Sequence, residues 1–219
     1  AAIGQGRIAF DNIRKVTVYL LTNSFTEFIL IMASLVLKTP LPVSAVQILW
    51  ANLVKDGFPN FALAFEPGDD GIMKRQPLKR KEPILDKQGL FLVFVVGIVT
   101  DVLLVGLFLT LRAYSDFSDV YMRTMIFTIL GTDSLLYVFS LKSWNKPLFR
   151  ERLTNNWYLI GAVAFGILLM VLSVWTDQLN WFLGTIPLHA REILVIIGMG
   201  VMEILLVELS KFWFLKRRG

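Results

Sequence analysis

Three oxygen-bearing side chains, Glu27, Asn52 and Asp56, stand inside otherwise apolar stretches, and a lysine, Lys55, stands next to the last of them. Carboxylate and amide oxygens are the donors that suit a hard cation such as Ca2+, Mn2+ or Na+, or a proton. Glu27 closes the polar run Thr22-Asn23-Ser24-Phe25-Thr26-Glu27, after which the chain returns to apolar residues from Phe28 to Leu37. Ser24 lies three residues before Glu27, so on a helix the two share a face. Asn52, Lys55 and Asp56 fall in Trp50-Ala-Asn-Leu-Val-Lys-Asp-Gly-Phe-Pro59, roughly ten residues or about 15 Å of helix from the polar residue Glu66. Gly57 and Pro59 weaken the helix at that depth, because proline removes a backbone donor and clashes one turn back. Carbonyls freed at such a break survive in a bilayer only where protein or trapped water satisfies them, and transporters use them to coordinate cations. The plainer alternative is that these groups bond only to one another and lock helices together, which for a lone Asn is about as good a reading. An ionisable residue inside a membrane points to function by default.

Asp133, in Leu130-Gly-Thr-Asp-Ser134, is a third buried carboxylate candidate. Asp101 and Glu203 read as helix-packing partners or cavity lining, and Glu208 as a residue near the membrane interface. His189, the one histidine, reads as solvent-facing and without partners.

These residues need a membrane around them, and composition supplies it. Of 219 residues, 55% are apolar and 18% charged, and the mean hydropathy is +0.62; soluble domains are nearer a quarter charged. A spanning helix takes about 20 mainly apolar residues, and six stretches qualify: 16–37, 43–64, 89–111, 120–141, 157–176 and 190–213. The expected fold is all-α, a polytopic membrane bundle of six transmembrane helices with the second unwound near mid-membrane. The expected organisation is a stalk-like extension over 1–15, an ion-site helix pair over 16–64, a polar loop over 65–88 and a four-helix supporting domain over 89–219. Of 22 Lys and Arg, only Lys38, Arg112, Arg123 and Arg191 fall on one side and Lys55 inside a span. The rest gather on the other side, which places both termini in the cytoplasm. Short loops and the lack of glycosylation acceptors on the outer side suggest a prokaryotic plasma membrane. Zero Cys excludes thiolate transport of soft metals, the first 15 residues lack the apolar core of a secretion signal, and the missing initiator Met suggests a fragment or a processed chain. Partners implied are the lipid bilayer and no nucleic acid.

Three segments then carry a resemblance: Gly6-Arg-Ile-Ala-Phe-Asp-Asn-Ile-Arg-Lys15, Gln47-Ile-Leu-Trp-Ala-Asn-Leu-Val-Lys-Asp-Gly57, and Glu66-Pro-Gly-Asp-Asp-Gly-Ile-Met-Lys-Arg-Gln-Pro77 with Lys81-Glu-Pro83. Together they resemble the C-terminal half of type II P-type cation ATPases, closest to the calcium pumps. The resemblance is specific through about residue 90. It implies that the six spans correspond to the fifth through tenth helices of that family. It also implies that Glu27 is the acidic ligand of the fifth helix, and Asn52 and Asp56 the paired ligands of the sixth. Ser24 stands where calcium pumps usually have Asn, and Ser134 or Asp133 stands near an eighth-helix carboxylate. The implied cargo is a transported cation, Ca2+ first, with H+ or Mn2+ as alternatives.

Lys55 departs from that pattern, because two-site calcium pumps carry a Thr hydroxyl there. An ammonium has no lone pair with which to bind a cation. Lys55 is therefore expected to act as a built-in counter-charge to Glu27 or Asp56 and to leave a single-ion or proton-coupled site; the alternative is that it snorkels toward water. The chain has neither an Asp-Lys-Thr-Gly motif nor a phosphate-cradling glycine run, so ATP and Mg2+ would be handled by an N-terminal half of the pump, in the same or a separate chain. The rival readings are a stand-alone cation-binding or accessory module and a secondary transporter, which would show repeated halves.

Overall fold

A computed structural model describes residues 2–68, 71–74, 82–142, 147–150 and 153–218, and among them the secondary structure is entirely helical. Much of the basic loop, including Arg75, Lys79, Arg80, Lys81, Lys146 and Arg152, lies outside the described residues, as do Asp69 and Asp70. The helices in chain order are α1 (Ala2–Val36), α2 (Ala45–Asn52), α3 (Phe58–Ala64), α4 (Lys87–Phe91), α5 (Ile98–Tyr114), α6 (Asp119–Lys142), α7 (Trp157–Trp175), α8 (Asp177–Leu183) and α9 (Ala190–Arg218). A π-helical turn, Leu53–Gly57, joins α2 to α3, and a second one, Leu92–Gly97, joins α4 to α5. Among the described residues, five helices are long and apolar enough to cross a membrane: Ala2–Val36, Lys87–Tyr114, Asp119–Lys142, Trp157–Trp175 and Ala190–Phe214.

The positions of the breaks follow from local chemistry. α1 ends where Lys38 takes a left-handed φ of 53° just ahead of Pro40 and Pro42, neither of which can continue the ladder. Ser44 then starts α2 with a full capping box: its hydroxyl accepts from the Gln47 amide at 3.2 Å, and the Gln47 side chain accepts from the Ser44 amide at 3.0 Å. The weak point foreseen at Gly57 and Pro59 takes the form of a π turn, and Pro59 sits in the first turn of α3, where its absent N–H is no loss.

α6 is the axis of the bundle. In its apolar window 78% of residues are buried, against 28–33% in the other four spanning helices, so it is the helix the others wrap. Thr124, Thr128 and Ser134 keep their hydroxyls in the bundle interior by donating to the carbonyl four residues back, at 2.9, 2.7 and 3.0 Å, the bond that polar side chains use within membranes.

At one end of the bundle a polar knot ties α1, α3, α6 and α7 together. Asn12 donates to the carbonyls of Ala64 (3.0 Å) and Glu66 (2.8 Å). Asn156 caps α7 by accepting from Leu159, and it donates to Ala62 O at 2.9 Å and Glu66 Oε2 at 2.7 Å. Lys142 Nζ lies 3.5 Å from Glu66 Oε1. Burial pushes the Glu66 carboxyl above its ordinary pKa, while Asn156, Lys142 and Lys15 pull it back. Asn156→Ala removes a helix cap and leaves a buried carbonyl unpaired, so it is expected to cost about 1–3 kcal/mol, read as a lowered midpoint of thermal unfolding in detergent.

The long amino-terminal part of α1 is clamped by the loop that follows α3. Arg14 donates to Ile84 O (2.8 Å) and Pro83 O (3.1 Å), pairs with Glu82 and Asp86 at 3.7 and 3.6 Å, and lies over the Phe10 ring. Arg7 donates to Ile72 O at 2.8 Å. Glu208 holds the other basic loop: it accepts from the Leu148 amide at 2.8 Å and pairs with Lys211 at 2.7 Å.

Candidate functional site

The site is assembled where α1 faces the π turn. Glu27 reaches from the middle of α1 to Lys55, whose ammonium lies 2.9 Å from Glu27 Oε1 and whose side chain is fully buried. That contact lies off the hydrogen-bond axis, so Nζ and Oε1 attract as charges without either being satisfied as donor or acceptor. Glu27 Oε2 accepts from Asn52 Nδ2 at 3.2 Å, and the Asn52 carbonyl oxygen is buried without a partner. Asp56, one residue beyond Lys55, accepts from Asn23 Nδ2 at 2.8 Å and lies within electrostatic reach of both Lys55 and Glu27.

Of the two carboxylates weighed for Lys55, Glu27 is the one in contact, and the lysine side chain is fully buried. At the break the protein itself supplies donors to the backbone: Tyr19 donates to Lys55 O at 3.0 Å, and Asn60 Nδ2 donates to Asp56 O at 2.7 Å. Pro59, four residues after Lys55, has no N–H to offer the Lys55 carbonyl, and the Tyr19 hydroxyl takes that place.

The other residues singled out from sequence divide. Glu27, Asn52 and Lys55 are brought into direct contact, and Asp56 joins them through Asn23. Ser24 is exposed, and its neighbour Asn23 is the buried residue, because i, i+4 spacing puts Asn23 under Glu27 on the inward face. Ser134 donates to Asn23 Oδ1 at 3.0 Å, so it acts on Asp56 through the amide. Asp133 points into a different cavity, shared with Asp101 and Glu203. Among the described residues no group of three or more His, Cys, Asp or Glu is placed to hold a metal ion, so any cation here would lean on amide and hydroxyl oxygens as well as carboxylates. Tyr19 and Asn60 were not foreseen as site residues. The Tyr19 hydroxyl lies 3.0 Å from Lys55 O and 3.1 Å from Ser134 O, and its ring stacks on Tyr137. His189 is exposed as expected, but it is not without partners: Tyr121 lies 2.9 Å from Nδ1 and Glu192 at 3.9 Å.

A helical bundle in which a carboxylate, an amide and a buried ammonium meet at a π turn is the class the chain's apolar helices and polar interior define, a multi-pass membrane protein with ionisable groups inside it. The family model "Cation transporting ATPase, C-terminus" matches residues 40–213, and the chain belongs to that family. It is 31% identical to a calcium-transporting ATPase of Bacillus subtilis (strain 168), covering 94% of this chain and 23% of that protein. It is 26% identical to calcium-transporting ATPase 1 of Bacillus cereus and 26% identical to the endoplasmic-reticulum-type calcium-transporting ATPase 3 of Arabidopsis thaliana, with 96% and 97% of this chain covered. The chain spans about a quarter of the length of these relatives.

Proposed function

We propose that the chain is the membrane transport part of an ATP-driven calcium pump, with Glu27, Asn52 and Asp56 as the oxygen donors of a single cation site and Lys55 as a fixed charge in place of a second ion. The observation that carries this reading is the Lys55–Glu27 pair at 2.9 Å with Asn52 on the other carboxylate oxygen. An ammonium in that position neutralises one carboxylate charge, as a bound ion would, and it cannot leave. Calcium is favoured because the relatives are named as calcium-transporting and because carboxylate and amide oxygens are its usual ligands. The charge of Lys55 also favours a proton-coupled cycle, since one fewer cation charge is then needed to balance the site.

In this proposal Ala45–Ala64, with its π turn, is a sixth membrane crossing, the termini and basic loops lie in the cytoplasm, and the membrane is a prokaryotic plasma membrane. The remaining portion of a full-length pump supplies ATP hydrolysis. The clamp of Arg7 and Arg14 on the loop after α3 then ties the extension of α1 to α3, so that movement imposed on that extension reaches the Glu27 end of the site. The test is ATP-driven uptake of radioactive calcium into vesicles containing the gene product that carries this chain, against a panel of Mn2+, Na+ and pH jumps. Asp56→Asn is expected to abolish calcium uptake, because it removes the site carboxylate that is not in direct contact with Lys55. Uptake unchanged in that variant would refute the assignment.

A further inference from the structure

Apart from Glu27 and Asp56, three carboxyl side chains from three helices turn toward one small cavity. Asp101 comes from α5, Asp133 from α6 and Glu203 from α9, and Asn23 and Ser134 form the wall nearest Asp56. The cavity measures about 20 Å3, room for one water molecule, which needs about 10–15 Å3. Asp101 is 2% exposed, yet neither of its carboxyl oxygens has a hydrogen-bond partner, and Asp133 Oδ1 is buried and unpartnered too. Of the hydroxyls beside Asp101, Thr26 interacts with its carboxyl while donating to Thr22 O at 3.1 Å, and Thr100 donates to Gly97 O at 2.7 Å. Gly200 of α9 makes the space possible, since a Cβ there would stand 3.1 Å from Asp133 Oδ1.

Three ionised carboxylates cannot share a dry space of this size without counter-charge; such groups are neutralised instead. The surrounding helices offer little charge to do it. Lys55, on the π turn, is the cation whose field reaches Asp101 and Glu203, and it is already paired with Glu27. Tyr19 of α1 and Tyr137 of α6 are the other titratable groups facing Glu203, and both carry neutral hydroxyls. A dehydrated calcium ion asks for six to eight oxygens at about 2.3–2.6 Å, which neither the volume nor the placement of these acids provides.

We propose that Asp101, Asp133 and Glu203 form a proton-binding site, in which carboxyl protons are held and shared around one water. It is separate from the cation site and independent of which ion that site carries. Ser134 and Asn23 connect the two in position: Ser134 Oγ donates to Asn23 Oδ1 at 3.0 Å, and Asn23 Nδ2 to Asp56 Oδ1 at 2.8 Å. An amide is a poor carrier of protons, so this link transmits geometry and charge. The protons move only between carboxyl oxygens and the water.

The test uses the intact gene product that carries this chain, reconstituted in lipid and studied by infrared spectroscopy at neutral pH in H2O and D2O. The expected result is a carbonyl band of protonated carboxylic acid that shifts in D2O and loses intensity in Asp101→Asn and in Glu203→Gln, with bound calcium per molecule unchanged. Asp133→Asn gives a third reading from another helix should either variant fail to fold. Spectra of the folded variants that overlay the parent's would overturn the proposal, as would loss of a bound calcium in them, which would make the cluster a metal site. A parent that binds no calcium would count against the pump assignment and leave the infrared result standing on its own.

Discussion

Glu27→Gln is expected to stop cation uptake and to lower the stability of the folded bundle by about 3 kcal/mol. The reason lies in what the substitution leaves behind. The Lys55 side chain has no exposed surface and its ammonium has no hydrogen-bond partner, so the Glu27 carboxylate at 2.9 Å is the counter-charge in contact with it among the described residues. A buried pair contributes little compared with apolar residues of the same volume, but removing one member strands the other. The double variant Glu27→Gln with Lys55→Met is therefore expected to regain most of the lost stability while remaining unable to transport, because stability needs charge balance and transport needs the carboxylate. Thermal unfolding in detergent and calcium uptake into vesicles read the two effects separately. Equal stability in the single variant and the parent would mean that Lys55 is neutral or solvated, against the geometry of α1 and the π turn.

That separation also bears on what the sequence could disclose. The long apolar helices were legible because hydrophobic length is a local property, and so was the chemistry of Glu27, Asn52 and Asp56, because charge in an apolar stretch stands out in any frame. The pairing of Lys55 was legible as a choice between two carboxylates; only the packing of α1 against the π turn selects Glu27. The form of the helix defect was not legible. Gly57 and Pro59 mark weakness, but whether a helix opens or widens by one residue depends on partners such as Tyr19 and Asn60, which approach from outside the segment or from its far end. Ser24 and Asn23 differ by one position, or about 100° around the helix, and nothing local to α1 tells which of the two faces inward. The Asp101, Asp133 and Glu203 cluster is drawn from α5, α6 and α9, so no spacing within the chain links its members.

The second large effect concerns ion number. Lys55→Thr is expected to raise the cations bound per molecule from one to two, with weaker dependence of uptake on pH. Deleting the ammonium frees Glu27 Oε1, which already lacks a hydrogen-bond partner, and leaves the Asn52 carbonyl oxygen, also unpartnered, on the neighbouring turn. A threonine hydroxyl adds a lone pair where the ammonium offered none. The carboxylate charge then has to be balanced by something mobile, and in a site that excludes water a cation does so most directly. The same substitution removes a positive charge whose field reaches Asp101 and Glu203, so the intensity of the infrared band of protonated carboxyl should change. Equilibrium binding of radioactive calcium at saturation decides the first point and the band intensity the second. One ion bound in both parent and variant would show that Lys55 sets charge and packing without standing in for a cation.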